Sequence, residues 1–348
     1  MVVGKFEEVT GSQFLQIAQD LDVTLPIEQT PHWDRYDQAM DDRGPWRKLV
    51  WYVDGQPRAM VSLSLYQDTG FRYLWAKKGP IWVGDKPTAA EEHAFRQQLV
   101  AGVKRIDPLI VFVRLHTWHE ADDLEDLLQT MGYDRTVVIK LAGLSDDQIL
   151  KSFDAKGRRA VRQRLRNPAL SATDDTDKAM DVFDQRYEIL EETADRDGFT
   201  INPRTTYQTM LSMLGPKYCK LYTARLDGEP VSWAIATIHG KDSAYYYGAS
   251  NAKGRKAGAS DLLYYFMACS LAKEGAAYLD LMGIDSPRAP ELAGVGRFKR
   301  KYSKEVTEVP GPWDVPVHPL YYRALQGAKQ LRHKRRELAQ DLKDRFTN

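Results

Sequence analysis

The sequence predicts an α/β protein made of two domains of similar layout. Its 348 residues exceed what one hydrophobic core usually holds, which predicts about two domains. The segment 51–63, WYVDGQPRAMVSL, is typical of two strands joined by a tight Asp54-Gly55 turn, and 221–237 repeats that pattern around Asp227-Gly228. Because similar elements follow both turns, the two halves are expected to share one topology.

The elements after each turn can be assigned in order. After the first come the segment FRYLWAKKGPIWV, a helical pattern near 90–105 and an apolar strand at 109–115. After the second come SAYYYGAS, a helix from about 258 to 274, whose apolar residues recur every three to four positions, and a strand at 277–284. Hairpin, strand, helix and strand is also the layout of the GNAT acyltransferase fold. Asp-Gly-x-Pro hairpins are common, however, so chance repetition is the alternative.

The composition excludes several classes of protein. A formal net charge of +1 means that the molecule as a whole does not attract nucleic acid. Two cysteines are too few for a disulfide framework, and without a signal-peptide pattern we expect a cytoplasmic, soluble protein. The cysteines and histidines lack metal-binding spacing, and neither a serine-hydrolase elbow nor a Walker loop occurs, so we expect no metal and no cofactor.

Three stretches have the composition of phosphate contacts. Residues 251–263 contain Arg255-x-x-Gly258-Ala259-Ser260, which resembles the phosphate-binding loop of GNAT enzymes, although an ordinary helix start explains it nearly as well. Residues 151–166 hold seven cations and a single acid in a short helix ended by Pro168. Such a row is normally a solvated face, but this density of like charge favours a nearby anion. The basic C-terminal helix could likewise contact RNA or a membrane.

Four stretches together resemble the FemABX family of peptidoglycan aminoacyltransferases. They are YEILEETADRDGFTINPRTTY, YYYGASN, AGASDLLYYFMACSLAKEGAAYLDLMGI and GVGRFKRKYSKEV. The resemblance is close from about 150 to 310 and looser before. It implies two tandem GNAT-like domains, the second inserted in the first: residues 1–145 completed by a C-terminal helix at 317–348, and residues 146–316. No segment is long enough for the helical arm of some members.

The resemblance also implies a function. The protein would move an amino acid from aminoacyl-tRNA to the stem-peptide amine of a peptidoglycan precursor, a step in cell-wall biogenesis and cell shape. The acceptor would be UDP-MurNAc-pentapeptide or lipid II, and the sequence does not choose between them. We expect a monomer in the cytoplasm, with peripheral contact at the inner face of the membrane. The alternatives are an acyl-CoA-dependent N-acyltransferase using 254–260 and a non-enzymatic RNA- or membrane-binding module.

The catalytic residues implied by the resemblance lie in GRFKRKYS. Lys299 would stabilise the oxyanion formed at the ester carbonyl, and Phe298 precedes it. An aminoacyl ester is already activated, so the reaction needs positioning and charge stabilisation more than a dedicated base. Without the resemblance, Lys299 would be one more surface cation.

Binding roles are expected for residues in several other segments. Arg204 would bind a diphosphate, and Arg35 would replace a family lysine, since arginine also binds phosphate. His116 stands where the family has an acid near the substrate amine. The remaining residues are the predicted substrate contacts Trp33, Tyr207, Tyr246 and Tyr247, of which Tyr207 departs by one position from the family spacing, and the predicted tRNA contacts Arg158, Arg159 and Arg162.

Overall fold

The computed structural model describes residues 2–128 and 132–331. Contacts between residues divide the chain into two units. The first contains the chain up to Val9, Trp46–Gly132 and the chain from Pro312, and the second contains Thr10–Pro45 and Tyr133–Gly311. In chain order the second unit is therefore inserted in the first.

Up to residue 128 the structure contains the predicted hairpin, helix and strand and, before them, elements that the sequence analysis did not assign. They are β1 (Gly4–Val9), α1 (Gly11–Asp20), α2 (Pro31–Gln38), β2 (Arg43–Val53), β3 (Gln56–Asp68), β4 (Phe71–Trp75), β5 (Ile81–Trp82), α3 (Ala89–Ile106) and β6 (Ile110–Thr117).

From residue 132 onward the chain adds eight strands and eight helices within the described residues. They are β7 (Arg135–Lys140), α4 (Asp146–Ser152), α5 (Ala155–Leu165), β8 (Leu170–Asp174), α6 (Ala179–Asp197), α7 (Arg204–Tyr218), β9 (Cys219–Leu226), β10 (Glu229–His239), β11 (Asp242–Ser250), α8 (Ala252–Ala257), α9 (Ala259–Lys273), β12 (Tyr278–Gly283), α10 (Ala293–Lys299), β13 (Thr307–Glu308), β14 (Gly311–Pro316) and α11, described over 319–331.

The sheet of the first unit has the order β1-β2-β3-β4-β6-β14, and β5 pairs with β3. Strands β4 and β6 run parallel, which requires the α3 crossover between them. One apolar cluster contains Trp51, Phe95 and Val113, and another contains Tyr66 and Phe112. Because the neighbours Phe112 and Val113 belong to different clusters, both faces of β6 are covered.

The sheet of the second unit has the order β13-β7-β12-β11-β10-β9-β8, and its parallel pair is β11 and β12. Successive residues of β10 alternate between two cores: Ala234 packs with the cluster that includes α5 and α9, and Ile235 with the cluster of α2, α6 and α7. Helices thus cover both faces of this sheet as well.

The predicted repeat is confirmed in its elements and in its turns. Both hairpins turn at an Asp-Gly pair with positive φ, 49° and 76° at Asp54 and Gly55 and 51° and 86° at Asp227 and Gly228. A strand, a helix and a parallel strand follow each hairpin.

The unit boundaries differ from those predicted at 145/146 and 316/317. Residues 10–45 belong to the second unit because Ile27, Trp33 and Tyr36 are buried in its core. Residues 133–145 join it because β7 pairs with β12, whereas β14 completes the sheet of the first unit. The predicted C-terminal helix is described only to residue 331, and 332–348 lie outside the described residues.

Candidate active site

The three consecutive tyrosines lie at an irregularity of β11. The register with β10 moves from Ile235 opposite Tyr247 to Ala236 opposite Tyr245, which leaves Tyr246 as the extra residue of a β-bulge. The bulge breaks the alternation of side chains. Tyr245 therefore packs with the α9 cluster, while Tyr246 and Tyr247 both pack with the cluster of α2, α6 and α7.

Aromatic rings from three elements surround Tyr246 and Tyr247. The ring centroid of Tyr246 lies 5.4 Å from that of Trp33 on α2, and that of Tyr247 lies 4.8 Å from that of Tyr207 on α7. Trp33 is 1% exposed and Tyr207 3%. Direct substrate contact by these two residues is therefore not supported, and they instead hold the half-buried Tyr246 and Tyr247 in place. Burial also raises the pKa of Tyr247, so its hydroxyl stays protonated.

Gly248 has a packing role beside the bulge. A Cβ atom there would collide with the hydroxyl of Tyr245 and lie 2.8 Å from the carbonyl oxygen of Trp233. The glycine thus makes room for the Tyr245 ring beside the bulge.

The two parallel strands of the second unit separate next to Tyr245. Pairing between β11 and β12 stops at Ala244 and Asp280, although β11 continues to Ser250 and β12 to Gly283. Lys299, the last residue of α10, directs its ammonium group to the end of β12. Its Nζ donates to the carbonyl oxygens of Met282 at 3.2 Å and Gly283 at 2.9 Å and lies 5.9 Å from the Tyr245 ring centre.

Lys299 is buried, with 6% exposure, and is not the surface cation that its neighbours suggest. Burial lowers the pKa of its ammonium to about 8, and the charge of Asp280 offsets part of this effect. An ammonium has three N–H donors, and the two carbonyls use two of them. A third donor in a poorly solvated place is well suited to stabilise a developing negative charge.

The turn that receives Lys299 has an uncommon backbone. Met282 has φ of 64°, in the left-handed region that non-glycine residues rarely adopt. Its N–H donates to the Asp280 carboxylate at 2.7 Å, and Thr136 Oγ1 donates to its carbonyl at 3.0 Å. These bonds hold the carbonyl that binds Lys299. Sequence reasoning missed Thr136, Asp280 and Met282, because no local motif reveals a left-handed methionine.

Phe298 occupies an aromatic stack behind the lysine. Its ring meets Tyr264 edge-on at 5.2 Å and Tyr302 at 5.4 Å. Tyr302 in turn donates to the buried carboxylate of Asp261 at 2.8 Å. Phe298 therefore positions the α10 turn, and the structure shows no reacting group of its own.

The two predicted phosphate-binding arginines lie on different helices. Arg204 begins α7, where it lies 3.1 Å from the Asp184 carboxylate and 4.9 Å from the centre of the Tyr187 ring. Arg35 is exposed on α2, next to His32. Both guanidinium groups can reach a dissolved anion. His116, which stands where the family has an acid, belongs to β6 of the first unit, where its N–H donates to Gly79 at 2.8 Å.

The predicted tRNA contacts belong to α5, which is anchored beside the Lys299 turn. The N–H of Asp154 donates to the Lys301 carbonyl at 3.1 Å, and Gly157 packs so closely on that carbonyl that no side chain would fit. Arg158, Arg159 and Arg162 line an open depression of about 510 Å³ together with Arg166. Arg158 also donates to the Phe153 carbonyl at 2.5 Å, so it is less available than its neighbours.

The predicted phosphate loop at 254–260 is largely helical. Residues Ala252–Ala257 form α8, and its N–H groups already have acceptors: Glu192 accepts from Ala252 at 2.7 Å and Asn251 from Gly254 at 2.9 Å. The N–H of Gly258 donates to Arg255 at 3.1 Å. A pyrophosphate would have to displace these partners.

Residues 151–300 match the model of the acetyltransferase (GNAT) domain family. Among solved structures, FemX superimposes with a TM-score of 0.69 at 14% identity, covering 92% of this chain and 100% of that one. The chain has the FemX fold. This agrees with the FemABX resemblance and confirms two tandem GNAT-like domains.

Two further solved structures superimpose on this chain with lower TM-scores. The C-terminal domain of an Agrobacterium fabrum protein described as a lysylphosphatidylglycerol synthetase superimposes with a TM-score of 0.51 at 13% identity, covering 88% of this chain and 92% of that one. A tandem GNAT protein from the clavulanic acid biosynthesis pathway has a TM-score of 0.51 at 10% identity, with coverage of 90% and 99%. No curated protein sequence matches the chain.

The described residues contain neither a candidate membrane-spanning helix nor a candidate metal site. None of the helices within 2–128 and 132–331 is long and apolar enough to cross a membrane. The same residues contain no group of three or more histidine, cysteine or acidic side chains arranged to hold a metal ion.

Proposed function

We propose that this protein is an aminoacyltransferase that moves an amino acid from aminoacyl-tRNA to the stem-peptide amine of a peptidoglycan precursor. The observation that carries the proposal is the buried Lys299 at the separation of β11 and β12, in a chain with the FemX fold. The acceptor is UDP-MurNAc-pentapeptide or lipid II.

The proposed reaction forms an amide bond and breaks an ester bond. The neutral acceptor amine attacks the ester carbonyl, and the resulting oxyanion is stabilised by the Lys299 ammonium. The carbon–oxygen bond to the tRNA ribose then breaks, and the proton lost by the amine ends on the ribose oxygen. Because the ester is already activated, holding the two substrates in near-attack geometry supplies much of the remaining rate enhancement.

The arginines of α5 support a polyanionic donor. Helix α5 contacts the backbone of Lys301, two residues after Lys299, so the row of arginines and the ammonium belong to the same part of the second unit. Phosphates of the tRNA acceptor stem that contact Arg159 and Arg162 would bring the aminoacyl ester towards Lys299. The proposal includes a monomeric, cytoplasmic enzyme, with contact at the inner membrane face if lipid II is the acceptor.

The acyl-CoA alternative requires free backbone N–H groups in the loop at 254–260. At α8, several N–H groups already donate hydrogen bonds within the protein.

The test is to incubate the full-length protein with each precursor and either aminoacyl-tRNA, charged in turn with several amino acids, or labelled acetyl-CoA. Precursor labelled from aminoacyl-tRNA alone is the expected result. Labelling from acetyl-CoA alone would establish the N-acyltransferase, and no product from either donor would favour the binding module.

A further inference from the structure

Helix α11 of the first unit exposes apolar side chains on one of its two sides. Leu320 is the most exposed large apolar residue within 2–128 and 132–331, at 82%, and Leu331 is 62% exposed. Ala324 and Ala328 lie between them at helical spacing and are also exposed. Tyr322, on the other side of the helix, is fully buried in the core of the unit. The exposed side is therefore an apolar stripe in addition to the face that α11 uses for packing.

The apolar stripe continues onto the end of α3. The Nε2 of His318, just before α11, donates to the Pro108 carbonyl at 2.8 Å, which brings the start of α11 beside the turn between α3 and β6. In that turn Leu109 is 67% exposed and Ile106 is exposed as well. Tyr321 adds an aromatic ring that is close to half exposed. We call these residues the Leu320 surface; it comprises Ile106, Leu109, Leu320, Tyr321 and Leu331.

Cations flank the Leu320 surface on both helices. Lys104 and Arg105 are exposed in the last turn of α3, and Arg323 is exposed on α11. The sequence 319–348 contains eight lysines and arginines against three acids, although the whole chain has a formal net charge of +1. Positive charge is thus concentrated in the part of the chain that carries the exposed leucines. The cations that follow Leu331 most closely are Arg332, Lys334, Arg335 and Arg336, which lie outside the described residues.

The acidic residues beside the surface compensate only part of this charge. Asp107, at the end of α3, is in an ion pair with Arg72, with 3.0 Å between Oδ1 and Nη2. Asp68 is exposed at the turn between β3 and β4, where the Tyr321 hydroxyl donates to the Gly70 carbonyl at 2.7 Å. Asp68 offsets one of the three described cations, so the charge around the apolar stripe remains positive.

We propose that the Leu320 surface binds an anionic lipid bilayer, with the leucines among the acyl chains and the cations at the lipid phosphates. Leucine gains free energy by leaving water, and an RNA or a dissolved phosphate offers no apolar phase for it. A tyrosine ring is also favoured at the level of the headgroups. A second copy of this surface would cover the leucines but would bring like charges together.

This inference rests on the proposed function and deepens it, because it selects the acceptor. An enzyme held on the bilayer meets a lipid-linked precursor at high local concentration, so the inference favours lipid II over the soluble UDP-linked precursor.

The direct test is flotation of the full-length protein with vesicles of phosphatidylcholine, alone or mixed equally with phosphatidylglycerol. We expect at least tenfold tighter binding to the mixed vesicles, and weaker binding as salt screens the charges. Leu320→Gln should weaken this binding about tenfold, because one leucine no longer leaves water. Arg323→Gln should weaken it about fivefold. Both side chains are exposed, so neither variant should change the melting temperature.

Two matched controls replace exposed apolar residues outside the Leu320 surface. Val3 is 72% exposed and precedes β1, at the opposite edge of the sheet from β14. Leu165 is an exposed leucine among the arginines of α5 in the second unit. Val3→Gln and Leu165→Gln should both bind the mixed vesicles as the wild type does.

Several results would overturn the inference. Equal binding to neutral and mixed vesicles, or unchanged binding in both surface variants, would remove the Leu320 surface from membrane contact. Weaker binding in Leu165→Gln alone would assign the lipid contact to α5. A dimer in analytical ultracentrifugation that Leu320→Gln dissociates would assign the surface to a second copy of the chain.

Flotation without substrates separates this inference from the proposed function. Transfer to the UDP-linked precursor by a protein that binds no vesicles overturns the lipid surface and leaves the aminoacyltransferase intact. Vesicle binding that depends on Leu320, without transfer to either precursor, supports the surface and contradicts the aminoacyltransferase.

Discussion

Each unit contains one parallel strand pair. In the first unit the strands stay paired towards their ends, and we call this pair closed; in the second unit they separate early, and we call that pair open. In the first unit, pairing of β4 with β6 reaches Trp75 and Arg114 and continues through hydrogen bonds from Ala76 to Arg114 and from His116 to Gly79, both at 2.8 Å. In the second unit, pairing of β11 with β12 stops at Ala244 and Asp280.

The buried cations beside the two strand pairs also differ, in the charge of their hydrogen-bond partners. Arg114 of β6 is fully buried and binds the Asp314 carboxylate through two hydrogen bonds of 2.6 and 2.9 Å. Lys299 is nearly as buried, but its hydrogen bonds go to the neutral carbonyls of Met282 and Gly283. One charge is neutralised and structural, while the other keeps a net charge at an opening between strands. The two copies of the duplicated fold therefore differ in whether the buried cation beside the strand pair has a carboxylate partner.

The largest expected effect is on the closed pair. Arg114→Met leaves the fully buried Asp314 carboxylate without its cationic partner, so the free energy of unfolding should fall by about 3–5 kcal/mol. Urea denaturation measures this loss. The double variant Arg114→Met with Asp314→Leu should recover much of the stability, and a single variant as stable as wild type would show that the ion pair is not what holds β14 to β6.

At the open pair we expect a loss of activity without a loss of stability. Lys299→Met should lower kcat for aminoacyl transfer about a hundredfold, roughly 3 kcal/mol, with little change in KM for the precursor, because the ammonium acts in the transition state. Its fold should not suffer, since the substitution removes a buried charge. The control Lys304→Met makes the same change at an exposed site. Full kcat in a folded Lys299→Met enzyme would remove Lys299 from the mechanism.

The pH dependence of stability should show the same unpaired charge. The pKa of Lys299 is about 8 in the folded chain against an ordinary 10.5, so between these values the unfolded chain binds more protons. Stability attributable to this group therefore rises with pH across that window, by an amount on the order of 2 kcal/mol between pH 7 and 10. Denaturation of wild type and Lys299→Met at both pH values isolates the effect. An equal change in stability between pH 7 and pH 10 in the two proteins would mean that Lys299 has its ordinary pKa in the folded chain.

Glycine substitutions compare the packing of the two units. Gly248→Ala forces a methyl group against the Tyr245 hydroxyl and should cost about 1–3 kcal/mol of stability. Gly102→Ala, in α3 of the first unit, meets no atom within 4 Å and should stabilise the helix by about 0.5–1 kcal/mol. Equal changes in melting temperature for the two variants would indicate that the residues around Gly248 move to accommodate the methyl group.

The smallest effect on stability is expected at Arg204. Its ion pair with Asp184 is exposed, with 42% and 64% of the side chains accessible, so Arg204→Ala should change stability by less than about 1 kcal/mol. If the guanidinium binds a diphosphate, KM for a nucleotide-linked precursor should rise about tenfold at constant kcat. An unchanged KM would leave Arg204 as a surface residue.

The sequence by itself determined the repeated elements, and through the family resemblance it made Lys299 a candidate. The Asp-Gly turns, the helix periods and the apolar strands depend on neighbouring residues, and a local pattern reports them well. Lys299 was found through GRFKRKYS, a contiguous motif. Local chemistry also predicted a basic helix over 151–166; the structure confirms it for α5 but interrupts the stretch at 153–154, after the end of α4.

The tertiary structure decided which of the predicted site residues are buried and which are exposed. Trp33 and Tyr207 looked like cleft residues in sequence, yet contacts with segments far along the chain bury both. The same kind of contact assigns α2 to the second unit, bends β11 at Tyr246, and sets Met282 in the left-handed conformation that receives Lys299. Each outcome depends on pairs of residues distant in sequence, whose packing energies no local pattern encodes.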